Sequence, residues 1–308
     1  MKSVLILLLA GGLVASALSQ PAVQVEIDPD AVLQFVQENV DDNVLNVLGV
    51  DSDRVRQFLE DLQTRFQGTT IYDLGSLNDA ASKLVPVLQQ FDQTKPYAAW
   101  LQARLDYLEV SEKLRHEVAP VPSKTGTAPR LTNPTPQRGR AVWVTEVEKR
   151  PAPPRAVKYL STLKPIFVSE RMPPELVWVA EAESSFDPSA RSPAGAAGLF
   201  QLMPDTAKSL ALSLWPRDQR YQPEKSARAA ARYLRQLHDR FGDWRLALAA
   251  YNAGESRVAD LLKKHRARSF DEISAYLPAE TQMYVPKVEA ILRKREGVAL
   301  GDLAVRRG

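Results

Sequence analysis

The sequence predicts an all-α protein with an N-terminal helical domain, a Pro-rich linker and a C-terminal helical domain. Two observations predict this class. Apolar residues recur at helical spacing on both sides of residues 119–154, and prolines are concentrated within that range. The expected boundaries are residues 20–118 for the first domain, 119–154 for the linker, 155–296 for the second domain and 297–308 for a tail.

Residues 1–19 have the features of a secretory signal peptide. A lysine at position 2 precedes an apolar run that ends near Leu18, and small residues at 17–19 predict cleavage before Gln20. The run is shorter than the roughly 20 residues that a membrane-spanning helix needs. We therefore expect an exported protein, periplasmic or in the cell envelope, that is soluble after cleavage. The chain has no cysteine, so no lipid anchor is expected.

Helical stripes define the domain at residues 20–118. One stripe begins at Val32 and a second runs from Val55 to Phe66, and further helices are predicted near 77–91 and 96–117. In the last of these, Trp100, Leu101, Leu105 and Leu108 share one face. We find no catalytic group in this domain and interpret its aromatic and leucine stripes as core.

The two parts of the chain carry opposite charge. Residues 20–118 hold 17 acidic and 8 basic side chains, a balance of −9, whereas residues 119–308 hold 31 basic and 20 acidic side chains, a balance of +11. Two hypotheses fit: the parts dock through complementary faces, or both are solvated surfaces. A basic cleft would also attract an acidic polymer over long range.

The linker contains one segment that departs from its composition. Residues 141–147 alternate in a way that predicts one short strand. Because a single strand needs a partner, we expect this segment to pack across the surface of the second domain.

The second domain is predicted to contain helices at 155–170, from Pro204, at 223–241 and at 278–296. The run from Leu246 to Asn252 is apolar around its whole circumference, which predicts the central buried helix of the domain, ended by Gly254.

An apolar helix that starts at Pro174, with its end marked by Pro188, carries two acidic residues, Glu181 and Glu183. They are roughly 200° apart around the axis, so at most one faces a given cleft. Glu183 is favoured because it lies nearer the helix C-terminus and burial would raise its pKa, as a general acid requires. The alternative is a solvated surface glutamate, the usual state of such a side chain.

Four ordered motifs surround this glutamate. They are Glu183-Ser184-Ser185-Phe186, Gly195-Ala196-Ala197-Gly198-Leu199-Phe200-Gln201-Leu202-Met203-Pro204, Ala250-Tyr251-Asn252-Ala253-Gly254 and Glu280-Thr281-Gln282-Met283-Tyr284-Val285. Together they resemble the soluble lytic transglycosylase (SLT) domain, and within it most closely the D-type membrane-bound lytic murein transglycosylases. The resemblance covers about residues 155–296 and implies a goose-lysozyme-like helical fold for this catalytic domain.

The resemblance implies a lyase that cleaves the β-1,4 bond between N-acetylmuramic acid and N-acetylglucosamine in peptidoglycan and leaves 1,6-anhydro ends. Glu183 would act first as acid and then as base. The implied substrate-binding residues are Ser184, Gln201, Met203, Tyr251, Asn252, Glu280 and Tyr284. Without the resemblance, Tyr251 and Tyr284 are equally well explained as packing residues.

Other classes of site find little support. The three histidines, His116, His238 and His265, lack ligand spacing, and no phosphate-binding loop is present, so we expect no metal and no cofactor. We expect glycan strands as the substrate, no nucleic acid, and proteins of the cell-wall machinery as candidate partners of residues 20–118. A goose-type lysozyme that uses water and a non-catalytic peptidoglycan-binding scaffold remain the alternatives.

Overall fold

The computed structural model describes residues 58, 61–62, 64–90, 92, 94–117 and 133–304 of the chain. The predicted signal peptide, the stripe that begins at Val32 and residues 119–132 of the predicted linker lie outside this part. Within the described residues the protein is all-α, as predicted, with isolated β-bridges and no strand.

The helices are labelled in chain order: α1 (Asn78–Leu88), α2 (Lys95–Gln102), α3 (Leu105–Glu117), α4 (Pro136–Glu148), α5 (Ala156–Ser169), α6 (Val179–Ser184), α7 (Pro204–Ser209), α8 (Pro223–Phe241), α9 (Trp244–Ala253), α10 (Glu255–His265), α11 (Phe270–Ile273) and α12 (Ala279–Glu296). Short 3-10 segments occur at Ile71–Asp73, Gly75–Leu77, Pro174–Trp178, Gln219–Tyr221, Ser274–Tyr276 and Leu300–Asp302. Among the described residues, no helix is both long enough and apolar enough to cross a membrane.

The helix predicted at 96–117 is two helices, α2 and α3, with a break at Ala103. The Ala103 carbonyl accepts a hydrogen bond from Lys287 Nζ at 2.9 Å, while the Tyr107 N–H donates to the Arg104 carbonyl at 3.0 Å. The α-helical ladder is therefore interrupted at this point, since the carbonyl that Tyr107 would contact in a continuous helix is occupied by Lys287. The break turns the Arg104 side chain into the protein interior.

The strand predicted at residues 141–147 is wrong, because these residues belong to α4. Thr135 caps this helix by accepting from the Arg138 N–H at 3.2 Å, and Pro136 occupies its first turn. The buried residues follow helical spacing: Val142, Trp143, Glu146 and Val147. Only part of the predicted linker is thus a connection, because α4 packs along α12.

The core of the C-terminal part surrounds α9 and α12. Residues 247–250 of α9 are fully buried, as predicted, and Gly254 ends the helix with a φ of 93°. Helix α12 is buried over a longer stretch that the sequence does not reveal, since it includes polar side chains. It packs against α4, α9, α6 and the segment Pro174–Trp178. This central position brings α12 beside the glutamate of α6.

Candidate active site

The helix that carries Glu183 is shorter than predicted. A 3-10 segment, Pro174–Trp178, leads into α6, which ends at Ser184. Ser185 and Phe186 then adopt left-handed backbone conformations, with φ values of 51° and 59°. Their N–H groups donate to the carbonyls of Glu181 and Ala180 at 3.1 and 3.2 Å, and so close the helix end. Two consecutive left-handed residues other than glycine indicate local strain directly beside Glu183.

Glu183 is buried, with 4% of its surface exposed. Burial raises the pKa of its carboxyl group to about 7, because the charged form loses hydration. The positive charge of Arg104 opposes this rise, and so does the Tyr284 hydroxyl, whereas the negative charge of Glu280 adds to it. The Tyr284 hydroxyl faces the Glu183 carboxyl, but no partner lies within full hydrogen-bond geometry of it. A carboxyl group with this pKa can hold a proton near neutral pH and also release it.

Glu181 lies on the other side of α6 and is paired. Arg295 donates to its two carboxylate oxygens at 2.8 and 3.0 Å, and also donates to the carbonyls of Arg150 and Pro151. The two acidic residues therefore face different surroundings, as their spacing predicts.

The side chain of Glu183 lines a cleft. Its lining consists of Trp100, Arg104, Glu183, Ser192, Ala196, Gln201, Leu202, Met203, Thr206, Tyr233, Tyr251, Asn252, Gly254 and Glu280. Six predicted site residues are in this lining: Glu183, Gln201, Met203, Tyr251, Asn252 and Glu280. The loop predicted to border a cleft at residues 187–198 contributes Ser192 and Ala196. The structure therefore brings together residues from motifs that lie up to about a hundred positions apart in the sequence.

Two predicted substrate-binding residues lie outside this lining. The hydroxyl of Ser184 donates to the Leu199 carbonyl at 2.8 Å and lies 3.3 Å from the Ala180 carbonyl, so it ties α6 to the loop before Gln201. Tyr284 is buried behind the cleft, where its hydroxyl acts on the pKa of Glu183. Both support the site from within the protein.

Gln201 presents an unused hydrogen-bond acceptor. Its side-chain nitrogen donates to the carbonyls of Ala190 and Gly198 at 3.0 and 2.8 Å, which fixes the amide. Its Oε1 atom is buried and has no partner among the described residues. Since a buried acceptor without a partner is costly, this oxygen suits a ligand that donates a hydrogen bond.

Tyr251 and Asn252 are held in place at the end of α9. The Tyr251 hydroxyl donates to the Phe200 carbonyl at 2.7 Å, and its ring packs on Tyr233 with centroids 5.4 Å apart. Asn252 accepts from the Thr281 hydroxyl at 2.7 Å through Oδ1. Burial raises the pKa of Tyr251 well above its usual value, so this phenol stays neutral.

Glu280 is paired in the cleft wall. Arg104 Nε donates to its Oε1 at 3.0 Å, and the same guanidinium lies 3.8 Å from Glu183 Oε2. Neither Arg104 nor Trp100 is predicted by the sequence analysis, which assigned no functional group to residues 20–118. The pair is spaced four residues apart, on a stripe that otherwise forms core, so the pattern contains no signal that separates it from packing residues.

The described residues contain no group of three or more His, Asp or Glu side chains arranged to hold a metal ion. The cleft lining itself carries one carboxyl group with a raised pKa, one ion-paired carboxylate, the Arg104 guanidinium, two neutral phenols, two hydroxyls and two side-chain amides.

Comparisons with known proteins agree with the motifs. Residues 168–274 match the Transglycosylase SLT domain. Over 155 residues the chain is 41% identical to membrane-bound lytic murein transglycosylase D of Escherichia coli K12, an alignment that covers 47% of this chain and 34% of that protein. Over 122 residues it is 35% identical to soluble lytic murein transglycosylase of Salmonella typhimurium, covering 36% of this chain and 19% of that protein.

Among solved structures, an inactive mutant of lytic transglycosylase Slt from Pseudomonas aeruginosa aligns with a TM-score of 0.39 and 18% identity, over 86% of this chain and 67% of that chain. The chain spans about a third of the length of the D-type relative. The predicted resemblance to the SLT domain is confirmed. Glu280, Tyr284 and Arg104 lie outside the matched residues 168–274.

Proposed function

We propose that this chain, whose residues 168–274 match the Transglycosylase SLT domain, is a peptidoglycan lytic transglycosylase, a lyase that cleaves glycan strands without water. The observation that carries the proposal is the buried carboxyl group of Glu183, with its pKa raised to about 7, at the wall of the cleft. Cleavage of a glycosidic bond needs a group of this kind to protonate the leaving oxygen.

In the first step, Glu183 gives its proton to the glycosidic oxygen between N-acetylmuramic acid and N-acetylglucosamine. The bond from C1 to that oxygen breaks, and its electron pair stays on the leaving oxygen. The acetamido oxygen of the muramic acid residue bonds to C1 and spreads the positive charge. This role for the substrate fits the cleft, because Glu280, the second carboxylate of the lining, is occupied by Arg104.

In the second step, the ionised Glu183 takes the proton of the muramic C6 hydroxyl. The C6 oxygen attacks C1, the bond from C1 to the acetamido oxygen breaks, and a 1,6-anhydro ring forms. Glu183 ends protonated, so the cycle closes with no water consumed. A pKa near 7 suits a group that must act in both directions.

The cleft residues are assigned supporting roles. Gln201 Oε1 accepts from a sugar hydroxyl or acetamido N–H group, because it is the acceptor that lacks a partner. Tyr251 and Asn252 border the acetamido group at the end of α9, and Met203 provides apolar contact. Glu280 contributes through its ion pair with Arg104.

Peptidoglycan lies outside the cytoplasm, so the proposed function requires export. The charged start and apolar run of residues 1–19 support a signal peptide, and a periplasmic or cell-envelope location follows from it. Protein partners from the cell-wall machinery stay a proposal for residues 20–118.

The test is mass spectrometry of muropeptides released from purified peptidoglycan by the wild type, Glu183→Gln and Glu181→Gln. We expect 1,6-anhydromuramic ends from the wild type, at a rate at least about 100-fold higher than from Glu183→Gln, since that variant lacks the acid. Glu181→Gln is the matched control, because it changes the same helix two positions away and leaves the cleft intact.

Three results would contradict the proposal in different ways. Reducing ends in place of anhydro ends would assign a lysozyme that uses water. Binding to peptidoglycan without release of products would assign a scaffold. Wild-type rates from Glu183→Gln would remove Glu183 from the mechanism.

A further inference from the structure

Arg104 reaches the cleft from a part of the chain that precedes the SLT domain. It stands in the break between α2 and α3 and only 6% of its surface is exposed. Its guanidinium carbon lies 4.6 Å from the ring centroid of Trp100, which also lines the cleft. Burial of an arginine costs free energy unless its charge is paired. Even a paired buried arginine often stabilises a protein no more than a well-packed apolar side chain would in its place. The position of Arg104 therefore calls for an explanation other than packing.

One guanidinium contacts two glutamates. Nε donates to Glu280 Oε1 at 3.0 Å, whereas Nη2 lies 3.8 Å from Glu183 Oε2. Nη1 also lies 3.3 Å from the backbone carbonyl of Glu183. The close ion pair is thus with Glu280, and Glu183 receives the weaker part of the same charge.

The backbone around Arg104 is fixed to the helix that carries Glu280. Lys287, two turns after Glu280 on α12, donates to the Ala103 carbonyl at 2.9 Å and lies 2.9 Å from Asp106 Oδ2. Residues on both sides of Arg104 are therefore attached to one buried lysine. This attachment sets the distance between the guanidinium and the two carboxylates.

Arg104, Glu183 and Glu280 form a buried charge cluster. Its charges match the protonated and ionised states of Glu183 that the proposed reaction needs. With Glu183 protonated, Arg104 and Glu280 cancel and the buried cluster is neutral. When Glu183 loses its proton, the cluster gains one negative charge, and the Arg104 guanidinium, 3.8 Å from Glu183 Oε2, forms an ion pair with it. The acid form and the base form of Glu183 are both tolerated in this arrangement.

We propose that Arg104 is a positioning residue that divides its charge between Glu280 and Glu183, so that residues outside the SLT domain set the balance between the acid and base forms of Glu183. This inference rests on the proposed function. It assigns to the segment before the SLT domain a part in catalysis that acts through Glu183, by way of one side chain and the backbone that holds it.

Other groups face Glu183 and bear on its proton. They are Tyr107 of α3, Tyr251 of α9, and Tyr284 and Lys287 of α12. The pKa values of all three tyrosines are raised well above their usual range by burial, so they stay neutral. Lys287 is engaged with Asp106. Arg104 and Glu280 are thus the charged groups whose replacement should move the Glu183 titration most.

The test compares the pH dependence of kcat/KM on solubilised glycan strands for the wild type, Arg104→Gln and Glu280→Gln. Activity that needs protonated Glu183 falls as the pH rises through its pKa, which gives the alkaline limb of the profile. Loss of Arg104 removes the largest of the effects that oppose the rise in the Glu183 pKa caused by burial, so the limb should move up by about one pH unit. Loss of Glu280 frees the charge of Arg104 for Glu183, so the limb should move down by a similar amount.

Two further variants separate positioning from folding. Arg104→Lys keeps the charge and should hold the limb within about half a pH unit of the wild type. Arg140→Gln is the matched control, because Arg140 donates to both carboxylate oxygens of Asp271 at 2.8 Å and lies outside the cleft lining and the Lys287–Asp106 contact. It should leave the limb unchanged even if it lowers stability.

The Glu183 titration can also be followed without catalysis. Urea denaturation of each protein beside its own Glu183→Gln derivative, from pH 4 to 9, gives the pKa of Glu183 in the folded protein from the pH at which the difference between their stabilities stops growing. Opposite shifts for Arg104→Gln and Glu280→Gln support the inference even if peptidoglycan is not cleaved. Shifts in the same direction, or no shift in either variant, overturn it. Absence of anhydro products from the wild type would overturn only the proposed function.

Discussion

The two sides of α6 place a glutamate in opposite electrostatic environments. On one side, Glu181 accepts hydrogen bonds from Nε and Nη2 of Arg295, which also donates to two backbone carbonyls. On the other side, the nearest guanidinium nitrogen of Arg104 is 3.8 Å from the Glu183 carboxyl group, and burial raises the pKa of that group to about 7. The two residues are of one type and two positions apart. Their surroundings alone make one carboxylate part of the structure and leave the other able to exchange a proton.

This contrast indicates how a short helix can carry a reactive group. Because α6 has six residues, it contributes little stability of its own and depends on packing. The side of α6 that carries Glu181, called the rear side, is attached to α12 by the ion pair with Arg295, and the side that carries Glu183 is called the front side. The hydroxyl of Ser184 attaches the end of α6 to the loop at Leu199. The front side can then hold a buried carboxyl group that has only a distant ion pair, without the helix separating from the core.

The largest effect on stability is expected from the rear side. Arg295→Ala leaves Glu181, with only 12% of its side chain exposed, without its partner, which should lower the free energy of unfolding by about 3 kcal/mol. Urea denaturation at pH 7 measures this loss. The turnover of the folded variant should stay within about threefold of the wild type, because Arg295 does not line the cleft.

A double-mutant cycle with Glu181→Ala sharpens this comparison. If the pair acts as a unit, the double variant should lose clearly less than the sum of the two single losses. Additive losses, or a fall in turnover as large as that of Glu183→Gln at unchanged stability, would mean that the two sides of α6 are not distinct.

The sequence predicts this contrast in part. The angular separation of Glu181 and Glu183 follows from helical geometry, and the motif string favours Glu183 as the proposed acid. The partners do not follow from the sequence, since Arg104 and Arg295 lie at least 75 positions away from α6 on either side and resemble ordinary surface or core-stripe residues in the pattern. Helix periodicity gives the class and most helix positions. It fails at residues 141–147, where an alternating pattern coincides with the buried face of α4.

The break between α2 and α3 is missed for a related reason. Nothing in the local residues ends the helix at Ala103, because no proline or glycine stands there. The break depends on Lys287, which lies far along the chain and takes the Ala103 carbonyl. Tertiary contacts of this kind override local propensity, and here they place Arg104 in the cleft.

A pH-dependent effect on the free energy of unfolding is expected from Glu183, on the front side of α6. The pKa of Glu183 is about 7 in the folded protein, against an ordinary value of 4.5. The folded state therefore binds more protons than the unfolded state between these values, so the stabilising contribution is present below pH 4.5 and is lost as the pH rises through 7. Above pH 7 the buried charge costs about 3 kcal/mol.

Glu183→Gln has no such charge, so its stability relative to the wild type should rise from near zero at pH 4.5 to as much as about 3 kcal/mol at pH 8. Urea denaturation at a series of pH values measures the difference. Glu181→Gln should give no comparable rise, because Glu181 is ion-paired. A stability difference that is constant between pH 4.5 and 8 would contradict a raised pKa for Glu183.

The smallest effect is expected from the loss of a neutral hydrogen bond that orients Asn252 in the cleft wall. Thr281 is buried on α12 and its hydroxyl donates to Asn252 Oδ1 at 2.7 Å. Thr281→Val keeps the shape and removes the donor, so the Asn252 amide is less firmly held, at a cost of about 1 kcal/mol in substrate binding. We expect KM to rise about fivefold with kcat within about twofold, measured on solubilised glycan strands. Thr281→Ser keeps the hydroxyl and should retain the wild-type KM. A fall in kcat with unchanged KM would instead place Asn252 in the chemical step, beside Glu183, and would extend the reactive side of α6 to the end of α9.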